Sequence, residues 1–349
     1  MGENLAISHR CMHYALTIGV LSLLTIRCGT NSGSTTHYRY VTGAEWSPLN
    51  ANRILITKQE FDFTDASSSG CGTETAPTSP PAEAYELFLT DTSGKVVRQL
   101  SSSLGLSRTA LFRWSPTADR IVIWDNSHAP LRTLDTNGIV QTYSTLLAVS
   151  SASWSPDGST IVCSALMSGG RYSLYKVAPS GGTVSLLYST LATGPVAWSS
   201  QDQIAFVTVD SASAKLWVMS SDGSNLQRLD SSAAFYALSF SPDGNTLIYS
   251  RTTQVSNEVV EENLSTHAQQ MLLQFTDGTE VVSLRHSPDG TTLSYYSFTS
   301  SSQVDLYIIG VDGSNATFVA TLSTDGSWSP DSRRIAYVLE NSVKIKSVK

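Results

Sequence analysis

The sequence predicts an all-β protein built from seven similar four-stranded units, and three observations lead to this prediction. A short hairpin motif, in which an aromatic residue precedes a tight polar turn and an apolar run, recurs along the chain. The copies are separated by the length of one small sheet. The second half of each interval carries a further pair of strands that also repeats.

The clearest copy of the hairpin is "ASWSPDGSTIVCS", which spans Ala152–Ser164. Pro156 has the φ that the second position of a β-turn needs, Asp157 tolerates the third position, and Gly158 can adopt a positive φ. After the turn, Ile161 and Cys163 alternate with polar or smaller residues, a pattern typical of a strand with one buried face. The segment is therefore predicted to be two strands joined by a turn, here named the A and B strands.

Seven copies of this motif can be aligned on the residue that precedes the turn. These residues are Trp46, Trp114, Trp154, Trp198, Phe240, His286 and Trp328. The copies are 40 to 46 residues apart, except for a first interval of 68 residues. That interval contains Phe61–Tyr85, a segment of 25 residues rich in Gly, Pro and Ser, and without this segment it is 43 residues long. We predict that the segment is a loop insertion.

The second half of each unit consists of an apolar strand, a Gly-containing turn and another strand, here named C and D. Examples are "KLWVMSSDGSNLQRL" and "DLYIIGVDGSNATFVA". Four-stranded units of 40–45 residues are typical of β-propeller blades, so seven units predict a seven-bladed β-propeller. The chain ends after the B and C strands of the seventh unit. We therefore expect the N-terminal strand His37–Gly43 to complete the last blade and close the ring.

The repeated aromatic-Ser-Pro-Asp-Gly hairpin resembles the repeats of TolB-like and other WD-type propeller proteins. The resemblance extends from His37 to Lys349 and implies the fold, whereas propellers of this kind have many functions. TolB carries a separate N-terminal domain, and only a short tether is expected here.

The N-terminus has a different character from the repeats. Tyr14–Ile26 is an apolar run of 13 residues preceded by Arg10, which is typical of a signal peptide. The run is followed by Cys28 and a polar segment, and this arrangement resembles a bacterial lipoprotein in which Cys28 is acylated. Residue 27 is Arg rather than the small residue of the lipoprotein pattern, so a soluble exported form and an uncleaved anchor stay open. The predicted organisation is a signal peptide (1–27), a flexible tether (28–36) and the propeller (37–349).

Composition excludes some classes of function. The net charge is −7 and no basic run exceeds the pair Arg333–Arg334, so no nucleic-acid partner is expected. There is no nucleophile elbow, no His-Glu-x-x-His, no phosphate-binding glycine loop and no Cys pair at zinc spacing. We therefore predict no catalytic residue, no metal site and no cofactor. The alternative is a polysaccharide lyase-like propeller enzyme, which would need convergent histidines; outside the signal region these are His37, His128, His267 and His286.

Other conspicuous residues have structural explanations. The five Trp residues of the motif are expected to pack between blades rather than to stack on sugars. Asp222 and Asp312 lie in predicted C–D turns and resemble calcium loops only faintly. Three glutamates of "NEVVEEN" (Glu258, Glu261 and Glu262) are expected on a solvated strand. Cys163 is expected to be a buried free thiol, and Cys71 lies in the inserted loop.

These observations predict an exported, lipid-anchored, non-catalytic propeller that binds a protein or glycan partner in the cell envelope, facing the periplasm or the cell surface. The A–B and C–D turns leave one face of the disc, and the B–C and D–A loops leave the other. The second face carries the dissimilar connections, including Phe61–Tyr85 and the segment around His128. Because function concentrates on variable loops held by a rigid frame, we expect the partner on this B–C/D–A face.

Overall fold

A computed structural model of the protein describes all but several short segments and the N-terminus. The described residues are 24–25, 35–64, 74–75, 85–100, 104, 106–107, 110–125, 129–167, 170–189, 194–210, 213–299, 304–321 and 326–348. All regular secondary structure in this part of the chain is β-strand. No helix in these residues could cross a membrane.

The chain divides into two compact units. The first unit contains Met1–His37 and Asp62–Ala82. Its described strands are β1 (Leu24–Thr25) and β4 (Glu74–Thr75), which pair antiparallel. The second unit contains Tyr38–Phe61 and Glu83–Lys349 and holds the repeats.

The repeats form seven antiparallel sheets, one for each predicted blade. Blade 1 contains β2 (Thr35–Trp46), β3 (Ile54–Thr64), β5 (Glu86–Thr90) and β6 (Val96–Gln99). Blade 2 contains β7 (Leu111–Trp114), β8 (Arg120–Asp125), β9 (Ala129–Asp135) and β10 (Val140–Tyr143). Blade 3 contains β11 (Leu146–Trp154), β12 (Ile161–Met167), β13 (Tyr172–Val177) and β14 (Ser185–Tyr188). Blade 4 contains β15 (Val196–Trp198), β16 (Gln203–Val209), β17 (Ala214–Ser220) and β18 (Gln227–Ser232).

The remaining blades follow the same order of strands. Blade 5 contains β19 (Ala234–Phe240), β20 (Thr246–Thr252), β21 (Asn257–Asn263) and β22 (Gln269–Phe275). Blade 6 contains β23 (Glu280–His286), β24 (Thr292–Phe298), β25 (Val304–Gly310) and β26 (Thr317–Thr321). Blade 7 contains β27 (Ser327–Trp328), β28 (Arg334–Leu339) and β29 (Ser342–Ser347). The predicted seven-bladed β-propeller is confirmed.

The apolar core is divided into seven clusters, and each cluster joins two neighbouring blades. Between blades 2 and 3, for example, Trp124 and Leu131 pack with Ile161 and Cys163. Equivalent clusters join the other consecutive pairs. The seventh cluster joins blade 1 to blade 7 and therefore closes the ring. Burial of apolar surface between blades is the main favourable contribution to such a ring.

The structure differs from the sequence prediction in how the ring closes. His37–Gly43 was expected to complete the last blade, but these residues belong to β2, the A strand of blade 1. Among the described residues, the sheet of blade 7 has three strands. The long alternating runs of β2 and β3 lie close together in sequence and pair with each other, which costs much less loop-closure entropy than pairing across the whole chain. Side-chain packing between Trp46, Ile54 and Val338 closes the ring instead.

The A–B turn repeats with nearly the same hydrogen bonds in several blades. In blade 3, Ser155 Oγ donates to Asp157 Oδ1 at 2.6 Å and accepts from the N–H of Thr160 at 2.9 Å. Gly158 has φ +68°, and a Cβ at this position would lie 2.2 Å from Thr117 Oγ1 of blade 2. Gly is therefore required here by both conformation and space. The strand–turn–strand interpretation of the motif is confirmed.

The predicted insertion, residues 61–85, lies only in part within the described chain. Its first four residues continue β3 to Thr64, and Glu74–Thr75 form β4. Tyr85 pairs with Leu106 in an isolated bridge. Cys71 lies outside the described residues, as do Cys28 and His128 of the other predicted sites.

Candidate functional site

The aromatic residue of each A strand packs against the preceding blade. The indole N–H groups of Trp114, Trp154 and Trp328 each donate to a backbone carbonyl in the preceding A strand, at 3.3, 3.1 and 3.3 Å. Trp198 differs, because its N–H donates to Asp202 Oδ1 of its own turn at 3.1 Å. The expected packing role is confirmed for the three residues that bond to the preceding blade, and their faces are not available as a sugar-binding platform.

His286 occupies the aromatic position of blade 6 and behaves as a member of this series. Its Nδ1 lies 2.9 Å from Ser239 Oγ of blade 5, in the same relation that a Trp side chain has to its preceding blade. Burial lowers the pKa of His286 to about 4, so the ring is neutral near pH 7. The side chain is thus a packing residue between blades.

We expect His286 to make the stability of the protein depend on pH. The pKa of His286 is lower in the folded state than its ordinary value of about 6.5, so the unfolded chain binds the proton more readily. The protein therefore has its full stability above pH 6.5 and loses stability as the pH falls towards 4. Between pH 7 and pH 5 the loss amounts to about 2 kcal/mol. His286→Trp should flatten this dependence, as measured by urea unfolding at both pH values. An unchanged slope in this variant would show that the imidazole does not titrate with folding.

Three charged residues meet where the A strands of blades 1, 2 and 6 approach one another. Glu45 is buried, and its carboxylate lies 3.6 Å from Arg113 Nη1 and 3.9 Å from Arg285 Nη1. The backbone N–H of Trp114 also donates to Glu45 Oε1 at 3.4 Å. Two guanidinium groups against one carboxylate leave a net positive charge, and guanidinium groups suit carboxylate or phosphate ligands. We call these residues the inner charged cluster.

The inner charged cluster was missed by the sequence analysis, although a signal for it was present. Glu45, Arg113 and Arg285 all lie immediately before the aromatic residue of their motif. The other four motifs have Ser or Ala at this position: Ser153, Ala197, Ser239 and Ser327. Comparison of the motifs column by column would therefore have found the charged residues.

On the A–B/C–D face, the carboxylates of the repeated turns are satisfied within their own turns. Asp157, Asp243 and Asp331 accept hydrogen bonds from the Ser two residues earlier, and this lowers the pKa of each carboxyl group. Asp222 and Asp312 accept from the backbone N–H two residues later in C–D turns, both at 2.9 Å. The β-turn interpretation of these two residues is confirmed. These groups stabilise turns and have local partners.

The B–C/D–A face differs, because blade 5 and its neighbours place unrepeated charged groups there. Arg251 Nη1 lies 2.5 Å from Asp230 Oδ2 of blade 4, and its Nη2 lies 2.8 Å from Glu258 Oε2. Glu258 also accepts from Ser256 Oγ at 2.8 Å. Burial raises the pKa of Glu258, but the hydrogen bonds from Arg251 and Ser256 outweigh it and lower this pKa overall. The three charged side chains form a paired, mostly buried network.

A second set of polar side chains, around Tyr249, lies at the same contact between blades 4 and 5. The hydroxyl group of Tyr249, whose side chain is fully buried, donates to Asp230 Oδ2 at 2.9 Å and lies 3.4 Å from Glu262 Oε2. Gln269 Nε2 donates to Glu262 Oε2 at 3.1 Å, and His267 Nδ1 lies 3.4 Å from Glu262 Oε1. The prediction that "NEVVEEN" is a solvated strand is therefore wrong for Glu258 and Glu262, which are buried. They are accommodated because basic and polar partners from neighbouring strands offset the cost of burial.

A separate polar pair lies on the other face of the blade 5 sheet, between blades 5 and 6. Tyr236 Oη donates to Glu280 Oε1 at 3.0 Å, and Thr252 Oγ1 donates to Asn257 Oδ1 at 2.6 Å. Oε2 of Glu280 is buried and has no hydrogen-bond partner among the described residues. We define Tyr236 and Glu280 as the blade 5 site. Because Glu280 Oε2 has no hydrogen-bond partner among the described residues, the site favours a cationic or hydrogen-bond-donating group.

The other predicted site residues lie apart. Within the described residues, no group of three or more His, Cys, Asp or Glu side chains could hold a metal ion. Cys163 is a buried free thiol, as expected, and burial raises its pKa to about 12. His37 lies in β2 of blade 1, whereas His267 lies in the C–D turn of blade 5.

Solved structures that are similar to this chain include TolB proteins and oligogalacturonate lyases. A TolB from Agrobacterium tumefaciens is 18% identical, with a TM-score of 0.55, and the match covers 73% of this chain and 94% of that one. An oligogalacturonate lyase from Vibrio parahaemolyticus is 12% identical, with a TM-score of 0.63, covering 95% and 98%. An oligogalacturonate lyase in complex with manganese is 13% identical, with a TM-score of 0.64, covering 95% and 98%. At such identities the likeness shows the fold alone.

Comparison of the sequence with protein families identifies the family of the chain, which the structural likeness alone does not. No curated protein matches the chain. The sequence pattern of the TolB beta propeller domain matches residues 73–325, which is well over half of the chain. This match agrees with the resemblance carried by the Ser-Pro-Asp-Gly hairpins. The chain therefore belongs to the TolB beta propeller domain family.

Proposed function

We propose that the protein is an exported, lipid-anchored propeller that binds a partner protein or glycan in the cell envelope without catalysis. One observation carries the proposal: polar groups of the repeated turns on the A–B/C–D face have local partners, whereas the B–C/D–A face holds the unrepeated blade 5 site. The partner docks on the B–C/D–A face, where Tyr236 and Glu280 receive a cationic or hydrogen-bond-donating group. Membership of the TolB beta propeller domain family supports an envelope role.

Photo-crosslinking in intact cells tests the choice of face. A photoreactive amino acid replaces Val255, which is 79% exposed in the B–C loop of blade 5, or Leu49, which is 52% exposed in an A–B turn. We expect a discrete crosslinked product from position 255, and its loss when Glu280→Gln and Tyr236→Phe are added. A product from position 49 alone would place the partner on the other face and contradict the proposal.

The predicted insertion is tested with the same crosslink. Replacement of Ala66–Pro81 by a short Gly-Ser linker is expected to weaken partner binding while the melting temperature stays unchanged. Full crosslinking in this variant would show that the insertion is not part of the binding surface. The proposed surface would then consist of the blade 5 site without the insertion.

Anchoring through Cys28 is tested separately. We expect the full-length protein to partition into detergent and to incorporate a clickable fatty acid, and Cys28→Ser should abolish the label. Because one acyl chain gives only marginal membrane binding, stable anchoring implies more than one chain. Labelling that persists in the variant, or that is missing from the parent, would exclude lipidation at Cys28.

A second candidate function is a lyase acting on an anionic oligosaccharide. It is favoured by the inner charged cluster, because Arg113 and Arg285 offer guanidinium groups that suit sugar carboxylates. The test incubates the protein with oligogalacturonate and Mn²⁺ and follows the ultraviolet absorbance of unsaturated products. Activity that is lost in Arg285→Met would favour the lyase, and absence of product would leave the binding function as the proposal.

A further inference from the structure

Blade 7 differs from the other blades in having no D strand among the described residues. Blades 1 to 6 each have one, and these D strands are four to seven residues long. In blade 7 the outermost strand is the C strand, β29. Its outer edge therefore has the position at which every other blade pairs with a fourth strand. An unpaired strand edge is a template for the addition of another strand.

The apolar cluster between blades 7 and 1 also lacks a contribution from a D strand. In each of the other six clusters, the D strand of the preceding blade, or the residue directly after it, contributes an apolar side chain to the contact with the next blade. These side chains include Leu100, Tyr143, Leu187, Leu229, Leu272 and Val319. The cluster between blades 7 and 1 receives only B- and C-strand residues from blade 7, and Phe88, Val343 and Ile345 at its border are only partly buried. An added strand would bury them further.

The backbone of β29 has the hydrogen-bonding groups that an added strand needs. Val348 donates its N–H to the carbonyl of Arg333, at 2.8 Å, on the side of β28. Because hydrogen-bonding directions alternate along an antiparallel strand, the backbone groups of Val343, Ile345 and Ser347 point to the outer edge.

The two faces of β29 specify different side chains in the added strand. Ile345 is paired with Ala336 and faces blade 1, whereas Lys346 is paired with Ile335 and faces blade 6. Lys346 Nζ donates to the carbonyl of Phe318 of blade 6 at 3.0 Å. The last eight residues of the chain contain three Lys and no Asp or Glu, in a protein of net charge −7. Side chains directly opposite across a strand pair share a face, so apolar residues suit the blade 1 side and acidic residues suit the blade 6 side.

We propose that blade 7 is completed by a strand from another protein, an extended segment in which apolar residues alternate with Asp or Glu. Backbone pairing along β29 provides affinity, and the alternating side chains provide specificity. This surface lies at the rim of the propeller, on a different blade from the blade 5 site. The inference rests on the proposed function only in that both assign a partner to the propeller.

The test uses the full-length protein and a fluorescent peptide of about seven residues in which Val and Glu alternate, a normal strand length. Control peptides replace Glu by Lys, or group the same residues in two blocks. We expect anisotropy to show binding of the Val-Glu peptide and about tenfold weaker binding of either control. Hydrogen exchange should slow at Val343, Ile345 and Ser347 when the peptide is added.

A matched pair of variants locates the binding edge. Ser347→Pro removes an outward N–H without removing a bond to β28, since Pro is tolerated on edge strands, and it should weaken binding at least tenfold. Ser347→Ala should leave binding unchanged. A second variant, Lys344→Glu with Lys346→Glu, should reverse the preference towards the Val-Lys peptide, which keeps the test valid if Ser347→Pro unfolds.

Several results would overturn the proposal. Equal binding of all peptides, or unchanged exchange in β29, would show that this edge selects no acidic strand. Slow exchange at the edge without peptide would show that the chain's own residues cover it, and slowing that rises with protein concentration would show a second copy there. If the protein with its blade 5 site intact gave no crosslink from position 255 but still bound the peptide, only the blade 5 proposal would be contradicted.

Discussion

Trp46→Ala is expected to lower the free energy of unfolding by about 3–5 kcal/mol. Trp46 is buried at the contact that closes the ring, where it packs with Ile54 and Val338. The guanidinium group of Arg334 lies over the indole ring, 4.7 Å from its centroid. The backbone N–H of Trp46 donates to Ser327 Oγ at 2.8 Å. Removal of the indole leaves a large cavity between the first and last blades.

Urea unfolding of two matched variants shows whether this loss comes from the closing contact. Trp46→Phe keeps an aromatic ring at the contact and should cost about 1–2 kcal/mol. Leu49→Ala changes an exposed side chain three residues away and should stay within about 0.5 kcal/mol. A Trp46→Ala variant as stable as Leu49→Ala would show that side-chain packing between blades 1 and 7 contributes little to closure.

The blades could be predicted from sequence because each is a local unit. The Ser-Pro-Asp-Gly turn joins strands that are adjacent in sequence, and the hydrogen bonds of Ser155 and Asp157 lie within that turn. The closing strand could not be predicted in this way. His37–Gly43 alternates well enough for any strand position, and its partner depends on whether the nearby β3 or the distant β29 competes better for it. The local pairing prevails in the structure.

The candidate sites were less accessible to sequence analysis. The inner charged cluster depends on residues from three blades, although its column in the repeat contained a signal. The burial of Glu258 depends on Arg251, which lies directly opposite it across β20 and β21, and on Asp230 from the neighbouring blade. When these partners are not known, a glutamate-rich strand is predicted to be solvated, because unpaired carboxylates are seldom buried.

The burial of these carboxylates makes Arg251 the second position at which a large effect is expected. Arg251→Met should destabilise the protein by about 3–5 kcal/mol, because it leaves Asp230 and Glu258 mostly buried without their cation. The hydrogen bonds from Arg251 hold the pKa of Glu258 below its usual value despite burial. In the parent, this carboxylate therefore stabilises the fold above its unfolded pKa of about 4.5, and the contribution is lost as the pH falls through the folded pKa.

Urea unfolding at pH 7 compares Arg251→Met with two other variants. One breaks an ion pair at the surface, and the other removes all the charges of the buried network. Lys215→Met removes the cation from a more exposed pair, in which Nζ lies 2.6 Å from Asp210 Oδ2, and should cost at most about 1 kcal/mol. Arg251→Met combined with Asp230→Asn and Glu258→Gln should recover much of the lost stability, since no buried charge is then unpaired. If the triple variant were no more stable than Arg251→Met, the loss would come from the packing of the arginine side chain rather than from stranded carboxylates.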